Sequence, residues 1–169
     1  MRFVGVTGLP LASLRTLLST APRGSIDTLL SYCHYTLLDD TLLSLLPAAS
    51  SAGVGVMNAS PLAMGLLSPG GPPDWHPAGA AMKAAAKAAA AELPLLPRVA
   101  IAFSVRHEGM ATTFVGMCTR DQVRDNVDTV RAALAGPPTA EEAEQMRRAV
   151  EIFEPVHNTT WPSGKPENN

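Results

Sequence analysis

Residues 3–18 read Phe3-Val4-Gly5-Val6-Thr7-Gly8-Leu9-Pro10-Leu11-Ala12-Ser13-Leu14-Arg15-Thr16-Leu17-Leu18. Phe3 to Val6 is a short apolar run with the character of a strand, and Thr7-Gly8-Leu9-Pro10 closes it with turn residues. Leu11, Leu14, Leu17 and Leu18 then recur at helical spacing until Pro22-Arg23-Gly24 stops them. A strand followed at once by a helix is the repeating unit of a parallel α/β fold.

The same alternation continues along the chain. A second strand is predicted over Ile26 to Ser31, followed by a helix whose apolar face is Leu42, Leu43, Leu45 and Leu46, with Asp39 or Asp40 to cap it. Val54 to Met57 reads as a third strand. From Ser60 to Pro77 eight prolines and glycines interrupt the chain, which predicts a long ordered loop or a functional segment. Gly79 to Leu93 is alanine-rich, and helix propensity makes it a surface helix. Arg98 to Val105 suits a buried strand or a buried helix equally, since periodicity alone does not separate them. Thr113 to Gly116 gives a fourth strand. Two capping-box matches, Thr119 with Gln122 and Thr139 with Glu142, start the last two helices. Their expected packing faces are Val123, Val127, Val130 and Leu134 in one, and Ala143, Met146, Val150 and Phe153 in the other.

The 169 residues suit one domain, and 46% hydrophobic against 17% charged residues leaves ample material for a core. A net charge of -2 and the lack of any basic run argue against nucleic acid as a partner. No apolar stretch approaches the ~20 residues of a membrane span, and the opening residues have no signal-type segment. A soluble, cytoplasmic setting with Cys33 and Cys118 as free thiols is therefore expected. Asn58-Ala59-Ser60 and Asn158-Thr159-Thr160 match the glycosylation acceptor pattern, read without a secretory signal as chance. The histidines show no metal-ligand spacing, so no metal is expected.

One difficulty stands out. Strands apolar on both faces belong to a parallel sheet covered on both sides, yet four strands leave two open edges and one uncovered face. Either more chain completes the sheet, or the protein associates through that surface.

Particular strings carry a resemblance. They are Arg2 to Leu11, Leu30-Ser31-Tyr32-Cys33-His34-Tyr35, Gly53-Val54-Gly55-Val56, Ala59-Ser60-Pro61-Leu62-Ala63-Met64-Gly65-Leu66-Leu67, Gly71-Pro72-Pro73-Asp74-Trp75-His76-Pro77, Glu154 to Asn158 and Thr160-Trp161-Pro162-Ser163-Gly164. Together they resemble the sugar-oxidising members of the aldo-keto reductase superfamily. The resemblance implies the carboxy-terminal half of a (β/α)8 barrel, about four β/α units plus terminal helices, in a fold of typically ~250 residues. Residues 1–169 would then be a single partial domain whose first half is missing, and the segment from Arg98 to Val105 would be a helix.

The same resemblance implies NAD-dependent oxidation of L-galactose at its anomeric carbon to L-galactono-1,4-lactone, as in ascorbate biosynthesis. Hydride passes to the nicotinamide while a tyrosine, assisted by lysine, aspartate and histidine, takes the hydroxyl proton. Those four residues lie in the first half of the family barrel, so no residue of this chain is assigned to catalysis. Most of the cofactor cradle remains. Thr7 and Gly8 match positions near the nicotinamide amide, and Tyr32 falls near an amide contact. His34, placed on the same side of the strand by alternation, is a candidate substrate contact or a packed histidine. Ser60, Pro61, Leu62, Met64, Gly65 and Leu66 match the loop that wraps the pyrophosphate, although Ala59 stands where relatives often stack an aromatic ring. Gly116, Met117, Cys118, Gln122 and Asn126 match the adenosine end. Gln122 is alternatively the capping partner of Thr119. The apolar Met117 and Cys118 favour NAD, while Arg120 could supply the charge that NADP needs. Trp75 and His76 would close the cleft or simply pack their loop. Two alternatives to the sugar dehydrogenase are a catalytically inactive half-barrel that binds nucleotide or a partner, and an enzyme of the same class acting on another aldose.

Overall fold

The computed structural model describes residues 2–162; Ser163 and Gly164 of the last matched string lie outside the described residues. Four strands, β1 (Gly5–Gly8), β2 (Thr28–Tyr32), β3 (Gly55–Ala59) and β4 (Thr112–Phe114), form one sheet in that order. Every pairing is parallel, with Thr7, Leu30, Met57 and Thr112 aligned across the sheet. Six α-helices connect and flank them: α1 (Leu11–Thr20), α2 (Leu46–Ala52), α3 (Ala80–Glu92), α4 (Leu96–Val105), α5 (Arg120–Ala135) and α6 (Ala140–Phe153). This is the expected half of a barrel: four parallel strands with crossover helices, in which β1 and β4 each pair on one side only among the described residues.

The strands begin and end one or two residues from the predicted limits. β1 is expected over Phe3–Val6 but forms over Gly5–Gly8, with Phe3 and Val4 exposed. Val4 still anchors the entrance, its carbonyl accepting from Asp27 N at 2.8 Å and its amide donating to Asp27 Oδ2 at 2.7 Å. Alternation then sorts the side chains. Leu29 and Val56 bury against α1 and α2 with Leu14, Leu42, Leu45 and Ala49. Farther along the same side Asn58 is wholly buried, its amide donating to the Tyr35 carbonyl at 2.8 Å. Thr7, Leu30, Met57 and Thr112 lie on the opposite side and are exposed or half-exposed.

Residues 96–105 are helical. Pro97 sits in the first turn, where its missing N–H costs nothing. Leu96, Val99, Ala100 and Ile101 are all buried, because α4 is wedged among β4, α5 and α6. The alanine-rich α3 is less of a surface helix than its composition suggests. Met82, Ala86 and Ala89 bury one face in the second core cluster, with Leu66, Leu67, Leu96 and Phe153, and the small side chains let the backbones approach closely. No single described helix is long and apolar enough to cross a membrane; α3 and α4 qualify only as a pair, and they are bent by 109°.

Both capping boxes form. Thr119 accepts from Gln122 N and Thr139 from Glu142 N, each at 3.2 Å, while the Gln and Glu side chains return bonds to the cap amides. The packing faces of those two helices differ from the expected ones. In α6 the buried residues are Glu142, Ala149 and Phe153, whereas Ala143 and Val150 are exposed. Ala149 and Phe153 turn into the core cluster, and the Glu142 carboxylate on the same side serves both the cap and the Arg98 guanidinium on α4. In α5 only Thr129 and Ala133 are buried, against α4. Val123, Val127 and Leu134 face outward because nothing among the described residues covers them.

Candidate functional site

A parallel sheet places every strand's carboxyl end on one rim, where the following loops gather. Thr7 and Gly8 end β1, Tyr32 ends β2, Ser60 follows β3, and Gly116, Met117 and Cys118 follow β4. Direct bonds hold these ends together: Cys33 N donates to Ala59 O at 3.0 Å and Ser60 N to Phe114 O at 2.9 Å. The structure therefore brings the candidate cofactor residues to one edge.

The loop after β3 has an unusual backbone. Ser60, Ala63 and Met64 lie at φ 59, 48 and 54°, and Gly65 at 102°. A run of left-handed residues turns successive N–H groups into a concavity suited to an anion. The amides of Ala63, Gly65, Leu66 and Leu67 are used within the loop, whereas those of Leu62 and Met64 have no backbone acceptor among the described residues. Small side chains and unused amides fit the pyrophosphate of a dinucleotide. Pro61 and Leu66 are buried, with Leu66 in the core, so contact at these positions would come from backbone. His76 braces the loop: its Nε2 donates to the Ala63 carbonyl at 3.0 Å, Ala78 N donates to its Nδ1, and Trp161 meets its ring edge-on at 4.7 Å. Trp75 is exposed and stacks on His76, so it packs the loop's outer side.

His34 is not in the strand that was to orient it. β2 ends at Tyr32, and Cys33 turns left-handed at φ 66°, breaking the alternation. The His34 ring is buried, with Nε2 donating to the Leu9 carbonyl at 2.8 Å and Nδ1 2.9 Å from Asp39 Oδ2. Both nitrogens are engaged, so His34 joins the end of β1 to the segment after β2. Asp39 also accepts from the Thr41 amide, at 2.8 Å, and from the Thr41 hydroxyl. Burial alone would raise the Asp39 pKa; the bonds from His34 and Thr41 outweigh it and hold the carboxyl below its ordinary 3.8.

A group with a depressed folded pKa contributes stability that is complete above its unfolded value and disappears as pH falls through the folded one. Urea titrations of the wild type and Asp39→Asn should therefore differ above pH 3.8 and converge below it. Parallel profiles down to the acid end would show that the network contributes no such stability.

A cleft of about 390 Å³ opens beside this network, lined by Leu9, Pro10, His34, Thr41, Asn158 and Trp161 among others, and mostly apolar. Of the sequence candidates only His34 borders it. Asn158, Thr160 and Trp161 were not singled out as site residues. The signal available was Asn158 itself: asparagine tolerates the left-handed φ of 59° found there. Its side chain accepts from Asp40 N at 2.9 Å and donates to Asp40 Oδ1 at 3.0 Å, fastening the chain's end across the rim.

After β4, Gln122 Oε1 accepts from Cys118 N at 2.7 Å and from Thr119 N, so the capping role is realised. Asn126 lies one turn further along α5 and is half-buried. The two thiols differ sharply. Burial pushes Cys33 up to about 12, against a bond with Ser60 that pulls it down, while Cys118 is exposed. A disulfide-exchange reagent at neutral pH should titrate one thiol rapidly and the second only after denaturation. Two fast thiols would contradict the burial of Cys33. Among the described residues no group of three His, Cys, Asp or Glu comes together.

Comparison with known proteins agrees with this architecture. The model of the Aldo/keto reductase family matches residues 1–151. L-galactose dehydrogenase of Arabidopsis thaliana is 43% identical over 171 residues, covering 99% of this chain and 53% of that protein. Among solved structures, aldo-keto reductase AKR11C1 from Bacillus halodurans matches in its holo and apo forms, each with a TM-score of 0.63 and 24% identity. Each match covers 96% of this chain, and 52% and 53% of those chains respectively. The chain thus spans about half the length of the relatives it matches.

Proposed function

Because the chain belongs to the aldo/keto reductase family, we propose that it supplies the cofactor-cradling half of an NAD-dependent aldose dehydrogenase that oxidises L-galactose to L-galactono-1,4-lactone, in the cytoplasm and in ascorbate formation. The observation that carries this reading is the left-handed loop from Ser60 to Gly65, where the amides of Leu62 and Met64 have no backbone acceptor among the described residues, on the rim where all four strands end. The substrate follows from likeness to L-galactose dehydrogenase. In this reading Thr7, Gly8 and Tyr32 border the nicotinamide, residues 60–66 hold the pyrophosphate, and Gly116, Met117, Cys118, Gln122 and Asn126 border the adenosine. The exposed, uncharged Met117 and Cys118 support NAD over NADP.

The bound cofactor would accept hydride. The residues of this chain orient it and leave proton transfer to groups expected in the other half of the barrel. The experiment is calorimetric titration of the 169-residue chain with NAD and NADP, followed by assay with L-galactose. NAD should bind more tightly than NADP, and the chain alone should produce no NADH. Failure to bind either dinucleotide would overturn the cradle. NADH formation by the chain alone would overturn the division of labour.

A further inference from the structure

The peptide unit between Ala63 and Met64 has a carbonyl that is fastened and an amide that is not. The Ala63 carbonyl accepts from His76 Nε2 at 3.0 Å and from Leu66 N at 3.2 Å, which occupies both of its lone pairs. The Met64 amide of the same unit has no backbone acceptor among the described residues. A trans peptide is planar, with C=O and N–H pointing in opposite directions, so the bonds that draw the carbonyl inward turn the amide outward. Burial follows that division: Ala63 and His76 are buried, and Met64 is half-exposed.

This orientation is not the one the backbone prefers. Ala63 and Met64 both have positive φ, a region that residues with a side chain rarely adopt. Rotating the peptide unit by half a turn would return Met64 to negative φ and carry its amide to the buried side. His76 opposes that rotation from a fixed position. Its Nδ1 accepts from Ala78 N at 3.0 Å, Trp161 meets the ring edge-on, and Trp75 stacks on it with centroids 5.9 Å apart. Because the Ala78 N–H occupies Nδ1, the single ring proton sits on Nε2, where the Ala63 carbonyl accepts it. Burial holds the His76 pKa below its ordinary 6.5, which keeps the ring neutral and this tautomer in place.

From this we infer that His76 is a positioning residue for the dinucleotide: by holding the Ala63 carbonyl it presents the Met64 amide to the pyrophosphate. The inference rests on the proposed cofactor reading and adds to it the side chain that shapes the cradle. His76 itself touches no phosphate, since both of its nitrogens are spent on the protein backbone. The bond to Ala78 orients the ring, and the bond to Ala63 acts on the loop. The clamp lies wholly within residues 63–78 and Trp161, and His76 is 2% exposed among them.

Two substitutions separate the two bonds of the ring. His76→Gln keeps a donor at the reach of Nε2 and loses the acceptor, whereas His76→Asn keeps an acceptor for the amide two residues on and loses the donor. Both remove the aromatic ring, so packing against Trp161 is lost equally. Calorimetric titration of the full chain with NAD should show affinity reduced about tenfold in His76→Asn and within about threefold of wild type in His76→Gln. Amide hydrogen exchange supplies a readout that needs no ligand. The buried Leu66 amide shares the Ala63 carbonyl, and it should exchange about tenfold faster in the Asn variant but near the wild-type rate in the Gln variant. The acceleration should be confined to the loop, since His76 lies outside the helices. A wild type that binds NAD, with the two variants equal in affinity or in Leu66 exchange, would overturn the inference alone. So would faster exchange spread over α6, which would make His76 a purely structural residue. A wild type that does not bind NAD would overturn the cofactor reading, and the inference with it.

Discussion

Replacing Phe153 with alanine should cost about 3–5 kcal/mol of folding stability, the range for removing a fully buried aromatic. Phe153 is 0% exposed and stands where α6 meets the cluster containing Leu66, Met82, Leu96 and Val99. The cost combines lost burial with a cavity that these surrounding helices cannot fill by moving independently. Against a typical stability of about 5–15 kcal/mol this removes a large fraction, so urea denaturation should show a markedly lower midpoint. Val150→Ala on the same helix is the control. Val150 is 53% exposed, and its replacement should change stability by no more than about 0.5 kcal/mol. Equal effects at the two positions would mean that α6 packs on the face expected from its apolar spacing, contrary to the structure.

Gly65→Val should have the next largest effect. Gly65 lies at φ 102°, beyond the left-handed region that asparagine visits, and a Cβ there would stand 3.2 Å from Pro73 Cδ. A β-branched residue therefore strains the backbone and crowds a ring that cannot swing aside. A cost of about 1–3 kcal/mol is expected. The loop escapes by changing shape, which disperses the amides around Met64. Dinucleotide affinity should fall about 10–100-fold, each 1.4 kcal/mol being tenfold. Far-UV circular dichroism should stay unchanged, because the helices do not pass through this loop. A folded variant with wild-type affinity would sink the claim that the loop's shape holds the cofactor. Affinity and stability together separate that outcome from simple misfolding.

The order of strands and helices was readable because it rests on local chemistry. Leu11, Leu14, Leu17 and Leu18 specify a helix wherever they occur, and Thr119 with Gln122, or Thr139 with Glu142, closes a cap within three residues. The family's second-half architecture was likewise legible in the strings around Ser60 and Trp161. The segment around Ile101 was not decided by its own composition. Its apolar residues suit strand or helix, and the choice falls to helix where α4 is buried against β4, α5 and α6.

Other features had no local signal at all. Asp40 and Asn158 are 118 residues apart and share two hydrogen bonds; His34 reaches back 25 residues to the Leu9 carbonyl. Phe153 and Val150 are both apolar, yet Phe153 is buried in the cluster with Leu66, Leu96 and Ala149 while Val150 is 53% exposed, an outcome set by where the other helices lie. By itself the sequence determined the caps, the alternation of strand and helix and the family, since these depend on neighbours along the chain or on strings of residues. Only the tertiary structure decided which helix faces are covered, where His34 spends its nitrogens and what the cleft is lined with. Burial and hydrogen-bond partnership are properties of which distant segments meet, and no spacing within one segment encodes them.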